Sequence, residues 1–193
     1  MKIVIQTLFI FLLFSCKTKI EDNESTEFIC EILSDTTELK IITSKNTLVS
    51  NFDWTPNRPI IGFDDKDKEI TQVTFISEIL EEIDTLYVHK QLKSKNKIDF
   101  EKLKSDGFKI FDLCTYSSGN LTLEEIRQKA SELNAENKLK INTDFFIMLK
   151  SPIFNRKGDK VYLRINYLTS GTDYLFIKEN GKWNKSKIGT WME

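Results

Sequence analysis

The chain is predicted to fold as an α+β domain, with a mainly antiparallel twisted sheet, two main helices and a C-terminal hairpin. Three observations carry that expectation. Strand-like and helix-like stretches interleave without the regular rhythm of a βαβ protein. The last third is almost wholly strand-like. Asn180-Gly181 separates two strand-like runs, the strongest short-range hairpin signal in the chain.

Composition agrees with an ordinary folded domain. The chain has 193 residues with 28 Lys+Arg, 29 Asp+Glu, 7 Gly and 3 Pro, which excludes collagen-like, low-complexity and wholly disordered classes. A net charge of −1 and a pI near 6.0 supply no large field for holding a phosphate backbone and leave room only for a local patch, so nucleic acid is not an expected partner.

The first element is a leader. Ile3 to Phe14 is apolar except for Gln6 and Thr7, and Lys2 precedes it. The run is too short to span a bilayer, which takes about 20 apolar residues, but it suits the middle of a secretory signal. It ends in Leu13-Phe14-Ser15-Cys16, which resembles the lipobox of bacterial lipoproteins. The resemblance implies removal of residues 1–15, a diacylglyceryl thioether on Cys16 and acylation of the new amino terminus, palmitate being the type of chain. Phe14 departs from the small or modest residue usual at its position. The plainer alternative is an ordinary signal or an uncleaved anchor, with Cys16 a simple thiol.

Three acyl chains, at about 0.8 kcal/mol per buried methylene, anchor a protein effectively for good. The lipid bilayer is thus the first expected partner, reached through acylated Cys16. Loss of the leader removes Lys2 and leaves 27 basic against 29 acidic residues. Lys17 stands where an inner-membrane retention signal has aspartate, so the outer membrane is the expected location; periplasmic and surface orientation both stay open. Residues 16–27, with Ile20 the one large apolar side chain, read as a flexible tether, and residues 28–193 as a single domain.

Export places Cys30 and Cys114 in an oxidising compartment, where a disulfide between them would add about 4 kcal/mol in the chain-entropy model. The alternative is two buried, unpaired thiols in strands. Neither sits in a metal-ligand spacing, and no cofactor or metal site is expected.

Within the domain, Phe28–Leu33 and Leu39–Thr43 are β-rich and flank a turn-prone Ser34-Asp35-Thr36-Thr37, a strand-turn-strand signature. Asn51–Pro59 reads as an irregular loop anchored by Trp54, and Ile60–Phe63 as a short strand. Glu69–Ile83 places Val73, Ile76, Ile79, Leu80 and Ile83 on one helical arc. Thr85–His89 reads as a strand entering a basic loop, Lys90–Lys97. Asp99 suits the cap of a short helix with Lys102 and Lys104 in its last turn and Gly107 as terminator. Phe108–Leu113 returns as a strand. Thr122-Leu-Glu-Glu125 matches a capping box, opening a helix that runs to about Asn137.

Phe145–Leu149 and Val161–Leu168 read as strands; in the second, Val161, Leu163, Ile165 and Tyr167 alternate with Tyr162, Arg164 and Asn166. A two-residue turn at Asn180-Gly181 pairs Glu179 with Lys182, Phe176 with Lys185 and Tyr174 with Lys187, so that lysine stems cover aromatic rings. Five or six strands with both helices on one face complete the expected sheet.

The segment Lys150-Ser-Pro-Ile-Phe154, the following strand, Asn180-Gly181-Lys182-Trp183 and the late Trp191 are similar to the C-terminal part of a loose group of uncharacterised bacterial lipoproteins. Members are richer in glycine and cysteine where this chain has 168–173. The resemblance implies an exported lipoprotein and carries over no catalytic residue.

Chemistry-bearing clusters are few. His89 is the only histidine and has no Ser elbow to serve. Asp64, Asp65, Asp67 and Glu69 crowd four carboxylates together, but intervening Lys66 and Lys68 and the lack of a glycine argue for a solvated loop over a calcium site. Lys90, Lys93, Lys95 and Lys97 are a solvated basic loop or a contact for headgroups or an acidic partner. Tyr116–Asn120 lacks the lysine of a P-loop and reads as capping. No catalytic residue is assigned. Two functions therefore stand: a non-enzymatic envelope lipoprotein that binds a protein or envelope component, such as an immunity or inhibitor protein, and an envelope hydrolase working with a carboxylate pair.

Overall fold

The computed structural model describes residues 17–41, 47–50, 60–63, 66, 69–94, 97–112, 123–135, 146–167 and 170–192. In chain order the elements are α1 (Lys17–Ser34), β1 (Thr47–Ser50), β2 (Ile60–Phe63), β3 (Glu69–Thr71), α2 (Gln72–Ile79), α3 (Thr85–Lys93), α4 (Phe100–Ser105), β4 (Ile110–Asp112), α5 (Leu123–Ala135), β5 (Phe146–Leu149), β6 (Ile153–Phe154), β7 (Lys160–Asn166), β8 (Ser170–Glu179) and β9 (Lys182–Met192). The α+β class with a mostly antiparallel sheet is observed. Seven strands form the main sheet in the order β4-β1-β5-β7-β8-β9, with β6 also paired to β7, while β2 and β3 make a separate ribbon. The exceptions to antiparallel pairing in the main sheet are at β1, which runs parallel to both β4 and β5.

Side-chain alternation gives β7 two buried faces. Val161, Leu163 and Ile165 join Leu48, Ile147, Leu149, Phe176 and Trp183 under α1, whose Phe28, Ile29, Ile32 and Leu33 form a helical stripe. Phe28 is the hub of this layer, with edge-to-face contacts to Phe154, Phe176 and Trp183 at centroid distances of 5.6, 5.3 and 5.0 Å. On the opposite face Tyr162 and Ile153 pack against Ile76, Leu80 and Val88 from α2, its C-cap and α3. The helices therefore cover both faces of the sheet, not one.

Two segments expected as strands are helices. Phe28–Leu33 lies in α1, because Phe28, Ile29, Ile32 and Leu33 at spacings of one, three and one are also the i, i+4 pairs of a helix, and a whole sheet face is present to bury them. The same helix takes in the expected tether: it starts at Lys17, and Ser25 and Thr26 are buried. Thr26 Oγ1 accepts from the Asp99 backbone N–H at 2.9 Å. Thr85–His89 lies in α3, where Asp84 Oδ1 accepts from the N–H groups of Leu86 and Tyr87 and so initiates a helix.

The long helix expected over Glu69–Ile83 is shorter. Glu69–Thr71 pairs with β2, Thr71 caps α2 by accepting from Thr74 N–H, and Glu81 turns left-handed at φ 52°. Ile83 therefore leaves the arc that the spacing assigns to it. Leu39 sits in a turn after α1, closed by Asp35 Oδ1 accepting from Thr37 and Glu38 N–H; Ile42 and Thr43 lie outside the described residues, as does Trp54.

Other expectations hold in detail. Asp99 caps α4 through Lys102 N–H, and Gly107 terminates it at φ 93°. β8 and β9 pair as expected, Glu179 with Lys182, Phe176 with Lys185 and Tyr174 with Lys187. Asn180 and Gly181 take φ of 52° and 81°, the two positive values a type I′ turn requires. Lys185 Nζ lies 5.4 Å from the Tyr174 ring centroid and Lys178 Nζ 5.1 Å from that of Trp183.

Candidate functional site

The most distinctive surface lies where α2 passes to α3. The left-handed turn at Glu81 projects Ile83 into solvent at 98% exposure, and Leu86, in the first turn of α3, is 67% exposed. These are the exposed large apolar residues among those described. A polar network holds the loop between them. Arg156, in the turn between β6 and β7, pairs with Asp84 through Nη2 and lies 3.8 Å from Glu82 through Nε. Its backbone N–H donates to Glu82 Oε2 at 3.0 Å, and its guanidinium stands 5.1 Å from the Tyr87 ring centroid. Lys160 pairs with Glu81 at 2.6 Å. Each of the three carboxylates thus meets a cation, which leaves the two apolar side chains as the outermost feature of a braced loop.

α3 is locked to the sheet by one side chain. Gln91 Nε2 donates to Phe154 O at 2.8 Å, and Gln91 Oε1 accepts from Phe154 N–H at 3.0 Å, so its amide continues the β6 ladder as a neighbouring strand would. This leaves Leu86, Lys90 and Lys93, at spacings of four and three, as an exposed stripe along α3.

A second polar group is buried in the sheet. Arg164 on β7 and Asp173 on β8 face each other in register and form a bidentate pair, Nε to Oδ1 at 2.6 Å and Nη2 to Oδ2 at 2.8 Å. Gly189 on β9 packs against it: a Cβ there would stand in ordinary contact, 3.6 Å from Asp173 Oδ2. Tyr162, on the same face as Arg164, has its hydroxyl pushed well above the ordinary tyrosine range, by burial first and by the Asp173 charge against the opposing effect of Arg164. Its hydroxyl makes no hydrogen bond of ordinary geometry, and the same holds for Ser77 Oγ and Asn166 Oδ1. The polar half of β7 is thus buried, where a one-sided sheet would have left it in water.

Cys30 is half-buried in α1 and unbridged. Its Sγ donates to Asp106 Oδ2 at 3.3 Å, and Lys102 Nζ reaches the same oxygen at 3.1 Å. Burial and the Asp106 hydrogen bond push the thiol up to about 11. Cys114, the other half of the expected bridge, and Cys16, the expected lipidation residue, lie outside the described residues.

The remaining expectations separate. His89 is a half-buried residue of α3, not of a strand. Of the acidic string, Glu69 is exposed in β3 and Asp64, Asp65 and Asp67 lie outside the described residues. Lys90 and Lys93 occupy the last turn of α3, where they complement the helix dipole; Lys95 and Tyr116–Asn120 are outside. Among the described residues no group of three or more His, Cys, Asp and Glu converges as a metal site would, and no helix is long and apolar enough to cross a membrane. Asp173 is the one acidic residue buried among those described, and both its oxygens are bound by Arg164.

Sequence reasoning misses the Ile83–Leu86 loop because it takes the two residues as part of a helix face and a strand. The available signal is Asp84, a capping residue between two apolar runs. No family model, curated protein or solved structure matches this chain.

Proposed function

We propose that this chain is an exported lipoprotein, anchored in a bacterial envelope membrane through acylated Cys16, whose domain binds an envelope component rather than transforming a substrate. The observation that carries the reading is Leu13-Phe14-Ser15-Cys16 at the end of a short apolar run after Lys2. The binding reading rests on how the described polar groups are spent. Arg164 and Asp173 satisfy each other, Glu82 and Asp84 hold Arg156, and the Cys30 thiol is held protonated, so each is engaged in the fold. The exposed Ile83 and Leu86 are by contrast free for contact.

The test is metabolic labelling with tritiated palmitate followed by Triton X-114 partition. The wild-type protein is expected to carry label and enter the detergent phase, and Cys16→Ser to do neither. An unlabelled, aqueous wild-type protein would remove the anchor from the reading.

A further inference from the structure

We infer that Ile83 and Leu86 form a membrane-docking knob that seats the domain directly on the lipid surface bearing its own anchor. The inference rests on the lipid-anchor reading of Cys16 and goes beyond it by assigning a face and an orientation. An anchor on a long tether leaves a domain free to face any way. Here residues 17–34 are helical, so α1 occupies the segment expected to be the tether.

The position of that helix fixes which end of the domain lies near the anchor. Glu24 of α1 stands against the β6–β7 turn, where a Cβ added to Gly158 would be 3.6 Å from Glu24 Oε1. Seven residues of helix, about 10 Å at 1.5 Å per residue, separate Glu24 from Lys17. The same turn carries Arg156, which grips Asp84 and Glu82 on either side of Ile83 and stacks on Tyr87 next to Leu86. The β6–β7 turn therefore joins Glu24 of α1, a short stretch of helix from Lys17, to the loop that carries the apolar knob.

The chemistry of the knob suits an interface. Interfacial apolar side chains bury about 5–10 Å into the boundary between headgroups and acyl chains. The acids nearest the knob are paired in place with Arg156 and Lys160, which lowers the cost of bringing them to a region of low dielectric. Exposed Lys157 in the β6–β7 turn, and Lys90 and Lys93 on the stripe that begins at Leu86, stand where ammonium groups meet headgroup phosphates. Two apolar side chains on a preformed loop give weak binding alone; with the acylated Cys16 in the same bilayer the contact becomes intramolecular.

Photocrosslinking tests this on the full chain. A benzophenone amino acid replaces Ile83, Leu86 or, as control, Glu38, an exposed residue past the far end of α1. Each protein is made in a lipidating host, reconstituted into vesicles of tritiated phosphatidylethanolamine and phosphatidylglycerol, and irradiated; a parallel aliquot is partitioned in Triton X-114. Positions 83 and 86 are expected to give several-fold more lipid adduct than position 38. Detergent-phase protein whose adducts at 83 and 86 match the control overturns the docking face and leaves the anchor intact. Aqueous-phase protein with no excess adducts overturns both. Adducts to protein instead of lipid at 83 and 86 overturn the docking face in favour of a protein contact.

Discussion

At Cys30 burial and two neighbours decide reactivity. The thiolate is the reactive form of cysteine, and this thiol is pushed up to about 11, first by burial and then by donating to Asp106, with Lys102 in partial opposition. At pH 8 its thiolate fraction is on the order of a hundredfold below that of an ordinary cysteine. Alkylation by iodoacetamide, followed at the Cys30 peptide by mass spectrometry, should be slow at pH 8 and rise steeply toward pH 11. Asp106→Asn should speed it at pH 8, because the carboxylate both accepts from the thiol and opposes its ionisation; the burial contribution remains, so the recovery is partial. An unchanged rate in Asp106→Asn would remove Asp106 from the account. The linked stability effect has a definite sign. The folded state keeps the proton to higher pH than the unfolded chain does, so this contribution is complete below pH 9, where the unfolded thiol is still protonated, and is lost as pH rises toward 11.

Among the elements, the β7–β8 pair shows what a buried polar couple does in a sheet. Arg164→Met leaves Asp173 buried without a partner, which should cost about 3–5 kcal/mol in chemical denaturation. The double replacement Arg164→Met with Asp173→Leu should recover most of that loss, since the removal of both charges leaves no orphan. Tyr162→Phe deletes a buried hydroxyl that makes no hydrogen bond of ordinary geometry, so its stability should stay level or rise, by up to about 1 kcal/mol. A double variant no more stable than Arg164→Met would show that the pair does more than neutralise itself.

The legibility of these elements follows the range of the forces behind them. Asp99, Gly107 and Asn180-Gly181 are readable because caps and tight turns act over a few residues, and the β8–β9 register follows from turn length alone. Thr85–Lys93 is misread as strand and loop, although its cap Asp84 is visible, because a short apolar run carries no period of its own. The candidate surface is still less legible. Arg156 meets Asp84 across 72 residues, a pairing that no local pattern encodes.

For the molecule as a whole, α1 is the piece that turns a sheet into a domain. It covers the face of β7 that carries Val161, Leu163 and Ile165, and Phe28 joins it to three aromatic rings from β6, β8 and β9. Phe28→Ala should therefore destabilise by about 3–5 kcal/mol, with one transition lost together across the sheet. Limited proteolysis of the wild-type protein should spare residues 23–34, where an unstructured tether would be cut first. Cleavage there at the rate of an unfolded peptide, or a cost for Phe28→Ala near zero, would return the segment to a tether.

Features that depend on neighbours along the chain are legible from residue order alone: the α+β class, the cap and terminator of α4, and the C-terminal hairpin down to its facing residues. Other features emerge only once the chain is packed. Lys17–Ser34 is one helix, both faces of β7 are buried, and the β6–β7 turn with Arg156 and Gly158 joins Glu24 to the loop that carries Ile83 and Leu86. Burial accounts for the division. A run such as Phe28–Leu33 satisfies its backbone equally well as helix or strand, and the choice falls to the surface available to cover its apolar side chains. Strands distant in the chain create that surface.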